Sequence, residues 1–122
     1  MLIGELSRRT GVSPRLLRYY EAQGLLAAGR SPNGYRDYDE DAVDTVRQVR
    51  ALLDAGLSTE VIRSVLPCVR DGEGGTPEFD WCAGLRATLH RELAATDERI
   101  NSLQRNRNAL AGYLAQSSTA AR

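Results

Sequence analysis

Lysine is absent from this chain of 122 residues; all sixteen basic residues are arginine. In a chain so rich in Ala and Gly this reflects a GC-rich genome more than a function. Histidine occurs once, as His90, and cysteine twice, as Cys68 and Cys82. So sparse a set offers no nucleophile–base constellation and no disulfide framework of the kind that staples secreted domains. His90 reads as a solvated helical residue. No glycine pattern cradles a phosphate, because Gly72, Gly74 and Gly75 lie in an acidic loop of the wrong sign. An enzyme is therefore not expected. Long apolar runs are missing too. No window approaches the roughly 20 apolar residues of a membrane helix, and Met1-Leu2-Ile3-Gly4-Glu5 is not a secretory leader. A cytoplasmic location without membrane contact is the default expectation.

Formal net charge is zero, but it is unevenly spread. Residues 1–38 carry six arginines against Glu5, Glu21 and Asp37, a net +3. Residues 39–84 carry a net −6 and residues 85–122 a net +3. A basic head ahead of an acidic middle suits one face made for phosphate.

The most informative stretch is residues 11–38. Gly11 breaks a preceding helix over residues 3–10, in which Ile3 and Leu6 face inward and Arg8 and Arg9 read as a solvated face slightly ahead of a direct DNA contact. Ser13 is an N-cap, its hydroxyl positioned to accept an orphan helical N–H. Pro14 occupies the first helical position, where its missing N–H costs nothing. The spacing predicts a second helix from Pro14 to about Ala22, closed by Gly24. Leu16, Leu17 and Tyr20 are expected to face inward, and Arg15, Arg18 and Tyr19 to share the open face. A short capped helix bearing two arginines and a tyrosine suits the major groove. Two helices joined through Thr10-Gly11-Val12 make a helix-turn-helix. Pro32-Asn33-Gly34 is tight-turn chemistry, with Tyr35, Arg36 and Tyr38 on the strand that follows.

This order of motifs strongly resembles the DNA-binding domain of MerR-family transcription regulators. The matching pieces are Ile3-Gly4-Glu5-Leu6, Gly11-Val12-Ser13, Leu17-Arg18-Tyr19-Tyr20-Glu21, Gly24-Leu25 and Asn33-Gly34-Tyr35-Arg36-Asp37-Tyr38. The resemblance is strong to about Pro67 and thereafter rests on architecture. It implies a wing over residues 27–38 that clasps the DNA backbone. Arg36 and Tyr38 then become phosphate contacts beside Ser13, Arg15, Arg18 and Tyr19 of the recognition helix. Tyr35 is balanced between packing and contact, and Arg30 is a weaker candidate.

Asp39-Glu40-Asp41 opens a third helix, its acids placed where the helix dipole favours them. The stripe Val43, Val46, Val49, Leu52 and Leu53 faces the core, while Arg47 and Arg50 lie off it, read as solvated ion pairs ahead of DNA contacts. Ser58 caps a fourth helix bearing Val61, Ile62, Val65 and Leu66. Residues 68–84, with Asp71-Gly72-Glu73-Gly74-Gly75-Thr76-Pro77 at their centre, read as a linker loop. Phe79 and Trp81 are expected to pack back on the head. Residues 85–116 form one long helix and residues 117–122 a frayed tail. On that helix Leu89, Thr96, Leu103 and Leu110 repeat every seven residues beside Leu93, Ile100, Arg107 and Leu114. Thr96 and Arg107 interrupt an otherwise apolar coiled-coil seam. Such a seam implies a partner ahead of a monomer with the helix folded back on the head, and the resemblance implies an antiparallel homodimer through Leu89, Leu93, Ile100, Leu103, Leu110 and Leu114.

Cys68 and Cys82 flank a flexible segment, so closure to a disulfide is open to them. They are read first as inert thiols, second as a redox or electrophile sensor, and last as metal ligands. Metal-sensing relatives carry soft ligands at the start of the dimerisation helix and in a loop after it. Cys82 resembles the first position, and nothing after Leu114 supplies the second. No cofactor is expected.

The fold class is thus mainly α. A winged helix-turn-helix DNA-binding domain with a small β wing (residues 1–67) is followed by a long antiparallel coiled-coil dimerisation helix. The resemblance implies a homodimer that binds a pseudo-palindromic promoter operator in double-stranded DNA and distorts it. RNA polymerase is then engaged indirectly, through the promoter. Two alternatives remain: a small architectural DNA binder without its own effector, or a partner-binding coiled-coil module.

Overall fold

A computed structural model describes residues 1–73 and 76–120. Two compact units divide the chain, Met1–Leu85 and Arg86–Arg122.

In the first unit α1 (Ile3–Thr10) and α2 (Pro14–Ala22) meet across a tight turn. Gly11 makes that turn with φ +74°, its N–H bonding the Ser7 carbonyl at 2.8 Å. An L side chain there would enter the left-handed region at a cost of about 1–2 kcal/mol. Ser13 caps α2, its side chain accepting the Leu16 N–H at 3.2 Å. Two short strands, β1 (Gly29–Arg30) and β2 (Arg36–Asp37), pair antiparallel as Gly29↔Asp37 and Arg30↔Arg36. Then come α3 (Asp41–Asp54) and α4 (Thr59–Val65), the latter capped by Ser58 through the Val61 N–H.

The core collects Leu6 of α1, Val12 of the turn, Leu17 and Tyr20 of α2, Val46 and Val49 of α3 and Ile62 of α4. Each helix contributes the apolar side of a 3.6-residue repeat. Leu16, expected inside, is instead 40% exposed, because positions 17 and 20 already supply the inward face of a nine-residue helix. Leu53 and Val61 sit half-buried at the edges of their stripes.

Two arginines stitch this unit together by capping carbonyls. Arg50 Nη1 donates to Thr10 O at 3.3 Å, at the end of α1. Arg63 Nε donates to Gln23 O at 2.7 Å, just past the end of α2. Both satisfy orphan acceptors at helix C-termini, where positive charge also complements the dipole. Arg50 is therefore a capping residue and not the solvated ion-pair member that its place off the stripe suggests. Arg47 does pair with its neighbour Asp44, loosely, at 3.8 Å. Arg9 pairs with Glu40 at 2.8 Å, tying α1 to the start of α3.

Residues 68–84 are not simply a linker loop. A 3-10 turn (Leu66–Cys68) leads into β3 (Val69–Asp71), which pairs antiparallel with β4 (Pro77–Phe79). Backbone pairing and the ion pair Arg70–Asp80 at 2.6 Å give this segment regular structure despite its glycines. Gly74 and Gly75 lie outside the described residues. Of the two aromatics expected to pack back on the head, Phe79 is half-buried and Trp81 is 57% exposed, its ring centroid 5.8 Å from that of Phe79.

The second unit is carried by α5 (Leu85–Ala120), a helix of 36 residues, roughly 54 Å long at 1.5 Å per residue. Residues 117–120, expected as part of a frayed tail, continue this helix; residues 121 and 122 lie outside the described set. Leu93, Ile100, Leu103, Leu110 and Leu114 are 53–71% exposed along it, while Leu89 and Thr96 are half-buried. No helix among the described residues is long and apolar enough to cross a membrane.

Candidate nucleic-acid interface

The open face of α2 follows from its spacing. Arg15, Arg18, Tyr19 and Ala22 recur at i, i+3, i+4 and i+7, and all four are exposed. Beside this face runs the wing. Its turn is closed by Ser31 N–H to Tyr35 O at 2.8 Å and by Gly34 N–H to Ser31 O at 2.9 Å. Gly34 takes φ +83°, a left-handed conformation that glycine adopts without a Cβ penalty.

Between α1, α2 and the wing lies an open cleft of about 750 Å³. Arg8, Arg18 and Arg36 line it together with Tyr35 and the first turn of α1. Three arginines from three elements thus line one concave surface, with Glu5 as the acid on its wall. Such a surface attracts a polyanion and can follow a phosphate backbone.

Glu21, on the last turn of α2, fixes the wing to the helix. Its Oε2 accepts from Arg36 Nε at 2.8 Å and its Oε1 from the Tyr38 hydroxyl at 3.0 Å. The Arg36 bond holds the Glu21 carboxyl below the usual carboxylate range; partial burial opposes this and the Tyr38 hydroxyl adds to it. In return Glu21 raises Arg36 further, while burial first and Glu21 second push the Tyr38 phenol up. One carboxylate thereby ties α2 to both Arg36 of the wing and Tyr38 just after it.

The expected contact residues separate on these grounds. Arg18 and Arg36 share the cleft. Arg15 and Tyr19 are exposed on α2 but do not line it. Ser13 is exposed and serves as the N-cap. Tyr38 does not fit a phosphate contact: its side chain is 1% exposed and its hydroxyl is committed to Glu21. It is a core residue that anchors the wing from beneath. Tyr35, by contrast, is 65% exposed and lines the cleft, as does Arg8. Arg8 reads in the sequence as a solvated charge only slightly ahead of a DNA contact, and the fold places it on one cleft with Arg18 and Arg36. Glu21 is the functional residue that sequence reasoning missed. Its sole signal is its place at the end of the Leu17–Glu21 motif.

Cys68 and Cys82 are joined as a disulfide, with Cα atoms 6.0 Å apart. Among the described residues no group of three or more His, Cys, Asp or Glu side chains is placed to hold a metal ion.

Residues 1–67 match the family model described as MerR HTH family regulatory protein. The chain belongs to the MerR family of transcription regulators. The "Heavy metal-dependent transcription regulator 2" of Rhizobium meliloti is similar to it, 38% identical over 106 residues that cover 85% of this chain and 72% of that protein. The lead(II) complex of the transcription regulator PbrR691 from Ralstonia metallidurans CH34 superimposes with a TM-score of 0.75 at 25% identity, covering 90% of this chain and 82% of that one. HiNmlR, a MerR family regulator lacking the sensor domain and bound to promoter DNA, shares the fold with a TM-score of 0.54 at 21% identity, over 93% and 86% of the two chains. The mainly helical fold with its small wing and long C-terminal helix is thus that of MerR regulators, as the sequence motifs imply.

Proposed function

We propose that this MerR-family chain binds a pseudo-palindromic operator within a promoter as a homodimer and distorts the DNA to control transcription. The convergence of Arg8, Arg18 and Arg36 on one cleft between α1, α2 and the wing carries this reading. Arg15, Arg18 and Tyr19 enter the major groove from α2, with Ser13 ordering the first turn. Arg36 and Tyr35 hold the wing to the backbone. Phosphate contacts position the head, and base edges reached from α2 supply sequence preference.

The seam of α5 supports the dimer. Five large apolar side chains lie exposed along one helix, and burying each is worth about 1.5–3 kcal/mol. A second copy, paired antiparallel, covers them through Leu89, Leu93, Ile100, Leu103, Leu110 and Leu114. Two-fold protein symmetry then calls for two-fold DNA. Bending or untwisting a site of this size costs roughly 1–6 kcal/mol, offset by the added wing and phosphate contacts. The protein acts in the cytoplasm on promoter DNA, without a catalytic step, and reaches RNA polymerase through the altered promoter.

Hydroxyl-radical footprinting and a circular-permutation bending assay on a bound promoter fragment test the reading. Two protected half-sites related by a dyad, with a bend between them, are expected. A single protected half-site on unbent DNA would contradict it.

A further inference from the structure

The Cys68–Cys82 bridge spans a sequence separation of 14 and lies wholly within the unit Met1–Leu85. It closes the open end of the β3–β4 hairpin, beyond the register pair Val69↔Phe79. Beside it the Asp80 N–H donates to Cys68 O at 2.8 Å, and the Leu85 N–H donates to Cys82 O at 3.1 Å. Val69 and Leu85, the flanking apolar residues, are both buried. The cysteines differ in access: Cys82 is exposed and Cys68 half-buried. A DNA-binding protein works in a compartment where small thiols keep cysteines reduced, and disulfides found there are characteristically transient and redox-sensing.

We propose that Cys68 and Cys82 form a reversible thiol–disulfide site that exchanges with a low-molecular-weight thiol and its disulfide and thereby sets the transcriptional output of the DNA-bound protein. The proposal rests on the DNA-binding reading above. In the reducing direction a small-molecule thiolate attacks Cys82 Sγ, the accessible sulfur. The protein S–S bond breaks, a mixed disulfide forms at Cys82, and Cys68 leaves as a thiolate that takes a proton from water. A second small-molecule thiolate then attacks the small-molecule sulfur of that mixed disulfide. The Cys82 thiolate departs and is protonated, and the small thiol ends as its symmetrical disulfide. Two electrons pass to the protein, whose disulfide becomes two thiols; oxidation is the reverse.

In the oxidised form residue 82, three positions before α5, is tied covalently to the end of the 3-10 turn that follows α4. Reduction leaves the hairpin held by its three register pairs, by the backbone bonds Asp80 N–H to Cys68 O and Gly72 N–H to Thr76 O, and by the Arg70–Asp80 ion pair. Cys82 then keeps the backbone bonds Cys82 N–H to Asp80 O and Leu85 N–H to Cys82 O but loses its covalent tie to Cys68. The input thus acts on the connection into α5 and leaves the cleft of Arg8, Arg18 and Arg36 intact.

The full chain is equilibrated in glutathione buffers of fixed reduced-to-oxidised ratio. Free thiols are trapped with a maleimide and counted by mass spectrometry. The same samples are assayed for binding to, and transcription from, promoter fragments that the protein itself selects. Both thiols should appear together at one ratio, with output changing at least fivefold across it and binding retained. A Cys68→Ser/Cys82→Ser variant should bind the fragments and respond flatly. Thiols that stay free at every ratio overturn the proposal, as does a wild-type output constant within twofold while the pair titrates. Because the wild type is compared with itself, a misfolded variant does not shield the idea. Fragments retained with flat output remove only the redox proposal; fragments retained by neither form remove the DNA reading as well.

Discussion

Replacing Tyr38 with Phe separates two roles that one side chain could play. The ring is 1% exposed, and Phe keeps its volume, so core packing is preserved. Only the hydroxyl is lost, and with it the 3.0 Å bond to Glu21. A bond to a charged acceptor is worth about 1.5–3 kcal/mol. The lower end applies, because Glu21 keeps Arg36 and its side chain is 24% exposed to water. A loss of about 1.5 kcal/mol lowers Tm by roughly 6–12 °C in a unit of this size. Operator affinity, measured at fixed salt below the new melting range, should stay within about threefold, since the hydroxyl does not reach phosphate. Thermal melts by circular dichroism and fluorescence anisotropy on one operator give both numbers. A variant with unchanged Tm but tenfold weaker binding would refute the anchoring role and restore Tyr38 to the DNA surface.

Arg18→Ala should weaken operator binding by about 1–3 kcal/mol, or five- to 150-fold, with Tm unchanged; normal affinity would remove α2 from the groove. Leu103→Glu should cost the dimer roughly 3 kcal/mol or more, since each seam residue counts twice. Sedimentation should then show dissociation at concentrations over a hundredfold higher, and an unaltered dimer would refute the seam. Acid should weaken the wing anchor. Glu21 is held below the usual carboxylate range by Arg36, so its contribution is complete above that range and fades as pH falls through the depressed value. Glu21→Gln should flatten that part of the stability–pH profile; a profile identical to wild type would exclude the anchor as its source.

The helix-turn-helix was legible because its signals are local. Gly11, Ser13 and Pro14 act within a few residues through positive φ, capping and a free N1 position, and α1, α2 and α4 fall where those signals put them. What escaped is long-range. Glu21 meets Arg36 and Tyr38 across 15 and 17 residues, and Arg50 and Arg63 each cap a carbonyl 40 residues away. No period or motif encodes those pairings. Tyr38 was misplaced because a strand of two residues is too short for inside–outside alternation to be read. The β3–β4 hairpin was hidden by its glycine-rich acidic turn, whose composition signals a loop while its flanks pair and its cysteines bond. On α5 the long helix itself could be read, since its apolar repeat runs over roughly four heptads without a proline to stop it, and the repeat's Leu93, Ile100, Leu103, Leu110 and Leu114 lie exposed along it.

The most direct test of the account is to select genomic DNA fragments with the purified protein and sequence what it retains. Retained fragments sharing one inverted repeat inside promoters, lost on Arg18→Ala, are the predicted result. Retention without a shared two-fold repeat, or unchanged by that substitution, would contradict the claim that α2 and the wing read a symmetric operator.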